Sequence, residues 1–187
     1  MPTIINIEPG TFGDIRNGDL IAVANVVEYL RLETPDLKFY IHSDAMAQAD
    51  YNRQFYSWML KNTDYFSDTP GEQYLNWSKV NVWDFRDISG DLVKIHNPLI
   101  QEKKIVICPL FDAPYNTYRN WPRQELDILL NRYSGPQYDD YEKIIATSKA
   151  DFYHEGWTQS IDFLNNIYHI MSAEIFVGGD TGTSHFA

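Results

Sequence analysis

Cysteine, positive charge and long apolar stretches are all scarce in this sequence. Its single cysteine, Cys108, excludes an internal disulfide and a zinc site built from several thiolates. The 15 Lys and Arg residues against 26 Asp and Glu residues give a formal net charge of -11. This charge excludes broad binding to nucleic acids, which requires cations that neutralise phosphates. No apolar run approaches the roughly 20 residues of a membrane span, and the first residues lack the basic and apolar regions of a signal peptide. These absences predict a cytoplasmic protein.

The apolar residues follow a pattern of alternating strands and helices. Hydrophobic residues make up 44% of the 187 positions, enough for the core of one large domain or two small ones. A β-branched run at 3–7 is followed by a glycine-rich stretch at 8–18. A helical pattern then starts at Asp19, and residues 37–42 read as a second strand. This order predicts a βαβ unit with a parallel sheet, in which ligands bind at the carboxyl ends of the strands.

The same alternation continues along the rest of the chain. A second helix is predicted by the spacing of four apolar residues, which are Tyr51, Phe55, Trp58 and Met59. A further strand is predicted at 80–85. The elements predicted in the second half are a strand at 103–109, a helix opening at Pro122, a strand at 143–147, a helix with Ile161, Leu164, Tyr168 and Met171 on its apolar face, and a strand at 174–177. The sequence therefore predicts two α/β units, residues 1–100 and residues 101–187.

The strongest motif follows the last of these strands, in the run Gly178-Gly-Asp-Thr-Gly-Thr-Ser-His185. Glycines after a strand permit a tight turn, and successive backbone N–H groups at the start of a helix bind anions. The hydroxyls of Thr181, Thr183 and Ser184 add donors for phosphate oxygens, and Asp180 is an acceptor for sugar hydroxyls. A polar turn capped by Asp180 or Thr181 explains the same residues, and the spacing alone leaves both interpretations open.

Three stretches, taken in order, resemble the heptosyltransferase-like glycosyltransferases. They are the Gly18-Asp19 helix with its following strand, the strand Ile105–Pro109 followed by Arg119-Asn-Trp-Pro122, and the segment from Ser160 through the glycine loop. The resemblance implies a GT-B architecture, in which two Rossmann-like units with parallel sheets hold the acceptor mainly on the first and the donor mainly on the second. It offers no counterpart to the closing elements of the second unit, which is therefore expected to be incomplete.

The resemblance also implies roles for individual residues. Asp19 is expected to be the catalytic base, with Asp14 as a rival. Capping of the helix is the other interpretation of Asp19, and a helix N-terminus lowers the basicity of a carboxylate. Arg119 is expected to stabilise the departing nucleotide diphosphate through its planar fork of donors. The residues expected to bind the donor are Thr117, Asp180, Thr181, Gly182, Thr183, Ser184 and His185. No metal and no cofactor is expected to be required.

The function implied is inverting transfer of a sugar from a nucleotide-diphosphate sugar to a glycan or a lipid-linked acceptor. Two alternatives stay open. A nucleotide-sugar epimerase of the same fold would change the sugar without an acceptor, and a non-catalytic module would bind a sugar nucleotide or serve in assembly. The incomplete second sheet leaves two expectations open: either the sequence is a fragment, or a second copy or another partner covers the exposed edge of the sheet. A lipid-linked acceptor would place the protein at the inner face of a membrane.

Overall fold

A computed structural model describes residues 2–9, 14–74, 94–97, 99–110, 118, 120–148, 152–179 and 186–187. The chain divides into two compact units, Met1–Asn97 and Pro98–Ala187. Each unit contains a parallel β-sheet flanked by helices. The predicted α/β class with two Rossmann-like units is therefore confirmed. The strand predicted at 80–85 lies outside the described residues.

The first unit has a three-stranded sheet in the order β2-β1-β3, with all strands parallel. Its elements are β1 (Ile4–Ile7), α1 (Asn17–Leu30), β2 (Lys38–Ile41), α2 (Asp50–Asn62) and β3 (Gln73–Tyr74). The central strand β1 is buried along Ile5, Asn6 and Ile7, as expected for a parallel strand covered on both faces. The sequence predicted β1, α1, β2 and α2, whereas the short β3 falls in a stretch that was predicted to be a loop.

The buried stripe of α2 differs from the predicted one. Tyr51 is 50% exposed, whereas Phe55, Trp58 and Met59 are buried as expected. Asn52 takes the inner position in the first turn, where its Nδ2 donates to the Ala47 carbonyl at 3.3 Å. The spacing from Asn52 through Phe55 to Met59 matches a helical face. Because Asn52 is polar, the pattern of apolar residues did not reveal the start of this face.

The second unit has a four-stranded parallel sheet in the order β6-β5-β4-β7. Its elements are β4 (Glu102–Cys108), α3 (Arg123–Tyr133), β5 (Glu142–Ala146), β6 (Thr158–Ser160), α4 (Phe163–Ser172) and β7 (Ala173–Gly178). From β4 the chain builds outward to β5 and β6, then returns to place β7 on the other side of β4. The strand order therefore reverses between β4 and β7, which is where open α/β sheets bind ligands.

The two helices of the second unit cover opposite faces of its sheet. Ile105 and Ile107 of β4 pack in one cluster with Leu126 and Leu130 of α3. Val106, between them in sequence, packs in the other cluster with Ile170 of α4. This alternation follows from the pleat of the strand, which points successive side chains to opposite faces. The carboxyl edge of the sheet lies between these two layers.

Two features of the second unit differ from the predictions. The predicted apolar face of α4 is wrong, because Ile161 is 56% exposed and Tyr168 is 40% exposed. The buried face instead runs through Asn166, Ile167 and Ile170, so a polar residue again interrupts the pattern. The edge strand β6 was missed because its three residues, Thr-Gln-Ser, have no apolar alternation.

The outer side of β7 is not paired with any strand in the described part of the chain. The cover expected there from a second copy or another partner stays a prediction. Within the described ranges, every helix falls short of the length and apolar character needed to cross a bilayer.

Candidate functional site

The candidate site lies at the carboxyl edge of the second sheet, where β4 and β7 end side by side. Cys108, the last residue of β4, is in register with Gly178, the last residue of β7. The chain leaves β4 toward Trp121 and leaves β7 through Gly179. Two connecting segments therefore begin next to each other at the point where the strand order reverses.

The ends of the first connecting segment are joined to each other. The backbone N–H of Trp121 donates to the Leu110 carbonyl at 2.8 Å. A Cβ added at Gly179 would lie 3.3 Å from the indole Nε1 of Trp121, so the indole packs closely against this glycine. The base of the segment after β4 therefore contacts the start of the segment after β7.

The last residue of β7 has no room for a side chain. A Cβ at Gly178 would lie 2.3 Å from the ring of Phe176, well inside any normal contact. The close approach of rings to Gly178 and Gly179 is a packing reason for two successive glycines here. It does not depend on a positive φ at either residue.

The residues predicted to bind the donor and its phosphates lie outside the described residues. They are Thr117, Arg119, Asp180, Thr181, Gly182, Thr183, Ser184 and His185. The structure brings together the residues that flank them, namely Leu110, Trp121 and Gly179. The two predicted parts of the donor site thus start from one place in the fold.

A cavity opens at the same edge, between the ends of β4 and β5 and the start of α4. Its volume is about 170 Å³, below the roughly 300 Å³ at which ligand pockets usually begin. It therefore fits one ring-sized group rather than a whole ligand. The lining residues are Cys108, Pro109, Leu110, Ala146, Thr147, Ser148, Ile161, Phe163 and Asn166.

Two polar residues that line this cavity, Thr147 and Asn166, are buried, and Asn166 is 7% exposed. Its Nδ2 donates to the Thr147 carbonyl over a long 3.4 Å. The Oδ1 of Asn166 is buried and has no hydrogen-bond partner among the described residues, as is also true of the Oδ1 atoms of Asn17 and Asn52. A buried acceptor left unsatisfied costs about 1–3 kcal/mol, so such atoms are rare and require an explanation. The residue escaped sequence analysis; a polar side chain between Phe163, Ile167 and Ile170 was the available signal.

Asp19 caps α1 in the first unit. It is the third residue of the helix, and its Oδ2 accepts a hydrogen bond from the backbone N–H of Arg16 at 2.9 Å. The geometry thus agrees with the capping interpretation, while the role of Asp19 as a base stays a prediction. Its rival Asp14 is exposed and precedes Ile15, which is held by a bridge to Met46. Asp14 lies in the connection between β1 and α1 and Asp19 in the first turn of α1, so both follow the carboxyl end of β1.

A larger cavity of about 590 Å³ lies in the first unit, at the edge of the sheet where the strands begin. Ile4 and Lys38, at the starts of β1 and β2, line it together with Lys61 near the end of α2. Lys38 pairs with Asp64, and its hydrogen bond lowers the pKa of that carboxyl. Because parallel sheets bind ligands at the carboxyl ends of their strands, size alone does not make this cavity the candidate site.

Two of the described histidines, His42 and His169, have resolved local interactions. The Nδ1 of His42 accepts from the Asp44 backbone N–H at 3.3 Å. Burial lowers the pKa of His169, and the charge of Lys104 lowers it further. In the ranges that the structure covers, no three His, Cys, Asp or Glu side chains are grouped to hold a metal ion.

The chain's function has to be argued from this geometry. Comparisons of the sequence and structure with protein-family models, curated proteins and solved structures found no match.

Proposed function

We propose that this chain binds a nucleotide-diphosphate sugar on its second unit and transfers the sugar to a glycan or lipid-linked acceptor. The observation that carries the proposal is the meeting of Leu110, Trp121 and Gly179 at the carboxyl ends of β4 and β7. These residues flank the segments that carry Arg119 and the run from Asp180 to His185. A phosphate-binding function is favoured because both segments start where the strand order reverses.

The proposed chemistry needs local positive charge in an acidic protein with a formal net charge of -11. Arg119 offers a planar fork of donors to the diphosphate. The backbone N–H groups of residues 181–184 and the hydroxyl of Thr117 add neutral donors, which bind anions without raising the net charge. Asp180 accepts hydrogen bonds from sugar hydroxyls, and His185 contacts the donor.

The proposed transfer is a single displacement with inversion. The acceptor hydroxyl oxygen forms a bond to the anomeric carbon as the bond from that carbon to the diphosphate oxygen breaks. The hydroxyl proton passes to the Asp19 carboxylate, and the bonding electron pair leaves with the diphosphate. Arg119 and the backbone N–H groups stabilise the charge that develops there.

The engagement of Asp19 in the helix cap supports a second candidate, binding of a sugar nucleotide without transfer. A hydrogen bond that stabilises the ionised carboxylate also makes it a weaker base. Such a chain would keep the donor site and lack turnover. The two candidates differ in whether the bound donor is consumed.

The first test is calorimetric titration with ADP-, UDP-, GDP- and CMP-sugars. We expect saturable binding of at least one donor and at least tenfold weaker binding by Arg119→Ala, because the charged phosphate contact is lost. Arg132→Ala is the matched control, since Arg132 lies at the far end of α3 and stacks on Tyr133. If Arg119→Ala and Arg132→Ala both bind the donor like the wild type, the phosphate role of Arg119 is rejected. If no donor binds to the wild type, the proposed function itself is rejected.

The second test measures donor consumption by mass spectrometry, with and without glycan acceptors. Asp19→Asn is expected to abolish turnover while leaving donor affinity nearly unchanged. Unchanged turnover in this variant, with loss in Asp14→Asn, would move the base role to Asp14. Binding without consumption by the wild type would favour the non-catalytic candidate, and a changed sugar without any acceptor would indicate epimerisation.

A further inference from the structure

The large cavity of the first unit has the size of a ligand site. Its volume of about 590 Å³ lies within the roughly 300–1,000 Å³ of ligand pockets, so it admits more than one ring. It opens at the amino ends of β1 and β2, beside the last turns of α2. The cavity is therefore separate from the connection between β1 and α1, which leaves the other end of the first strand.

Hydrogen bonds hold one wall of this cavity, the segment 66–69, in place. The segment extends the sheet, because the Ser67 N–H donates to the Phe39 carbonyl at 2.8 Å. The buried hydroxyl of Tyr56 donates to the Ser67 carbonyl at 3.2 Å. The Ser67 hydroxyl donates to the Thr69 carbonyl at 2.7 Å, which closes a tight turn. The wall is thus formed before a ligand arrives, and this lowers the cost of binding.

Two charged side chains that line the cavity keep their hydrogen-bonding capacity. Lys61, in the last turn of α2, and Asp68, in the wall, are both exposed. Among the described residues, neither of them has a hydrogen bond or an ion pair. Lys38, the other lysine of the cavity, is already neutralised by its ion pair with Asp64. The cavity therefore offers one ammonium donor and one carboxylate acceptor, and their charges balance.

This balance of charge, next to apolar surface, favours a neutral ligand rich in hydroxyls. A ligand with a net charge would match only one of Lys61 and Asp68. A zwitterion would match both, but it would give up part of the hydration of its own two charged groups. A sugar hydroxyl both donates and accepts, so a sugar can bond both side chains while its C–H groups pack on Ile4 and Leu60, which also line the cavity.

We propose that the cavity at the amino ends of β1 and β2 binds a neutral saccharide. The Asp68 carboxylate accepts hydrogen bonds from sugar hydroxyls, and the Lys61 ammonium donates to another oxygen of the sugar. Because both groups are exposed, their contacts replace contacts with water and give a modest net gain, so binding is weak. Every described residue that lines the cavity belongs to the first unit. The site therefore goes beyond the proposed function and does not depend on it.

The test is a titration of the isotopically labelled protein, in which the backbone amide signals are followed by NMR. The probes are glucose, galactose, N-acetylglucosamine, maltose, cellobiose and lactose. At least one of them is expected to shift the amide signals of Ser57, Lys61 and Thr69 in a saturable way. If none of the six saccharides shifts these signals, the inference is overturned.

Two variants with exposed positions show whether the carboxylate takes part. Asp68→Ala is expected to bind the tightest saccharide about tenfold more weakly, because a charged acceptor of hydroxyl protons is lost. Asp36→Ala is the matched control, since Asp36 is an exposed carboxylate of the same unit that does not line the cavity. Both replacements lie on the surface and are expected to leave the fold intact. Equal affinity in Asp68→Ala and Asp36→Ala would contradict the role of Asp68.

The same titration distinguishes a saccharide from a zwitterion and this inference from the proposed function. Free glycine and free leucine serve as zwitterionic probes. If either binds at the same amides more tightly than every saccharide, the assignment to a neutral saccharide is wrong. If nucleotide-diphosphate sugars fail to bind while a saccharide shifts these amides, the proposed function fails and the inference stands. Donor consumption without any saccharide shift at these amides gives the opposite result.

Discussion

Asn6 and Asn166, two of the three buried asparagines in the described residues, make the clearest comparison in this molecule. Asn6 on β1 is 2% exposed and Asn166 on α4 is 7% exposed. Asn6 donates through Nδ2 to the Gly71 carbonyl and accepts through Oδ1 from the Gly71 N–H, both at 2.8 Å. Asn166 makes one long bond and leaves its Oδ1 unsatisfied. Asn6 thus has both groups of its amide bonded within the first unit, whereas the Oδ1 of Asn166, like that of Asn52, has no partner among the described residues.

Removal of Asn6 is expected to have the largest effect. Asn6→Leu leaves the N–H and the carbonyl of Gly71 without their partner, and the loss for two partly buried groups is about 2–4 kcal/mol of unfolding free energy. Gly71 lies against the backbone of β1, since a Cβ there would lie 2.2 Å from the Ile4 carbonyl oxygen. Urea unfolding measures the loss, and hydrogen exchange read peptide by peptide assigns it to the first unit.

The matched variant Asn166→Leu sharpens the comparison. Without ligand it is expected to unfold within about 1 kcal/mol of the wild type, or to be more stable, because an unsatisfied acceptor is removed. Losses of the same size in Asn6→Leu and Asn166→Leu would contradict the distinction between the two asparagines.

A smaller effect is expected at the cap of α1. Asp19→Ala removes the acceptor for the Arg16 N–H, which costs about 0.5–2 kcal/mol when a capping bond is lost. Asp14→Ala, on the exposed neighbour, is the control and is expected to change stability by less than about 0.5 kcal/mol. Thermal unfolding of the two variants measures the difference. If Asp19→Ala is as stable as the wild type, the hydrogen bond between Asp19 and the Arg16 N–H does not stabilise the helix.

The smallest effect is expected from the titration of His169. Burial lowers the pKa of this imidazole below the ordinary value of 6.5, so the unfolded chain binds a proton more readily than the folded one. Stability should therefore be complete above pH 6.5 and fall as the pH drops below it. The residue is only partly buried, so the contribution is limited to about 0.5 kcal/mol or less.

Unfolding measured from pH 7 to pH 5 in His169→Gln checks this contribution. The slope of stability against pH should be shallower in this variant than in the wild type, with His154→Gln as the control in the same unit. An identical slope in His169→Gln and the wild type would show that the ring does not contribute.

The sequence predicts elements well where apolar periodicity is strong. The α/β class and the helices around Val27, Phe55 and Leu130 follow from spacing. The faces of α2 and α4 were partly misassigned because Asn52 and Asn166 hold inner positions that periodicity assigns to apolar residues. The pairing of β4 with β7 and the cavity beside them depend on contacts between distant segments, which spacing along the chain does not encode. Capping was one of two interpretations of Asp19, and its geometry became visible only in the fold.

The pairing of β4 with β7 also determines when the candidate site can form during synthesis of the protein. Ile105 and Ile175 lie side by side although about 70 residues separate them in the chain. Synthesis adds about 5–20 residues per second, so β4 leaves the ribosome several seconds before β7. During that interval the edge of β4 is open to other strands. The candidate site therefore forms late in synthesis, and a nascent chain that stops short of β7 has no such site.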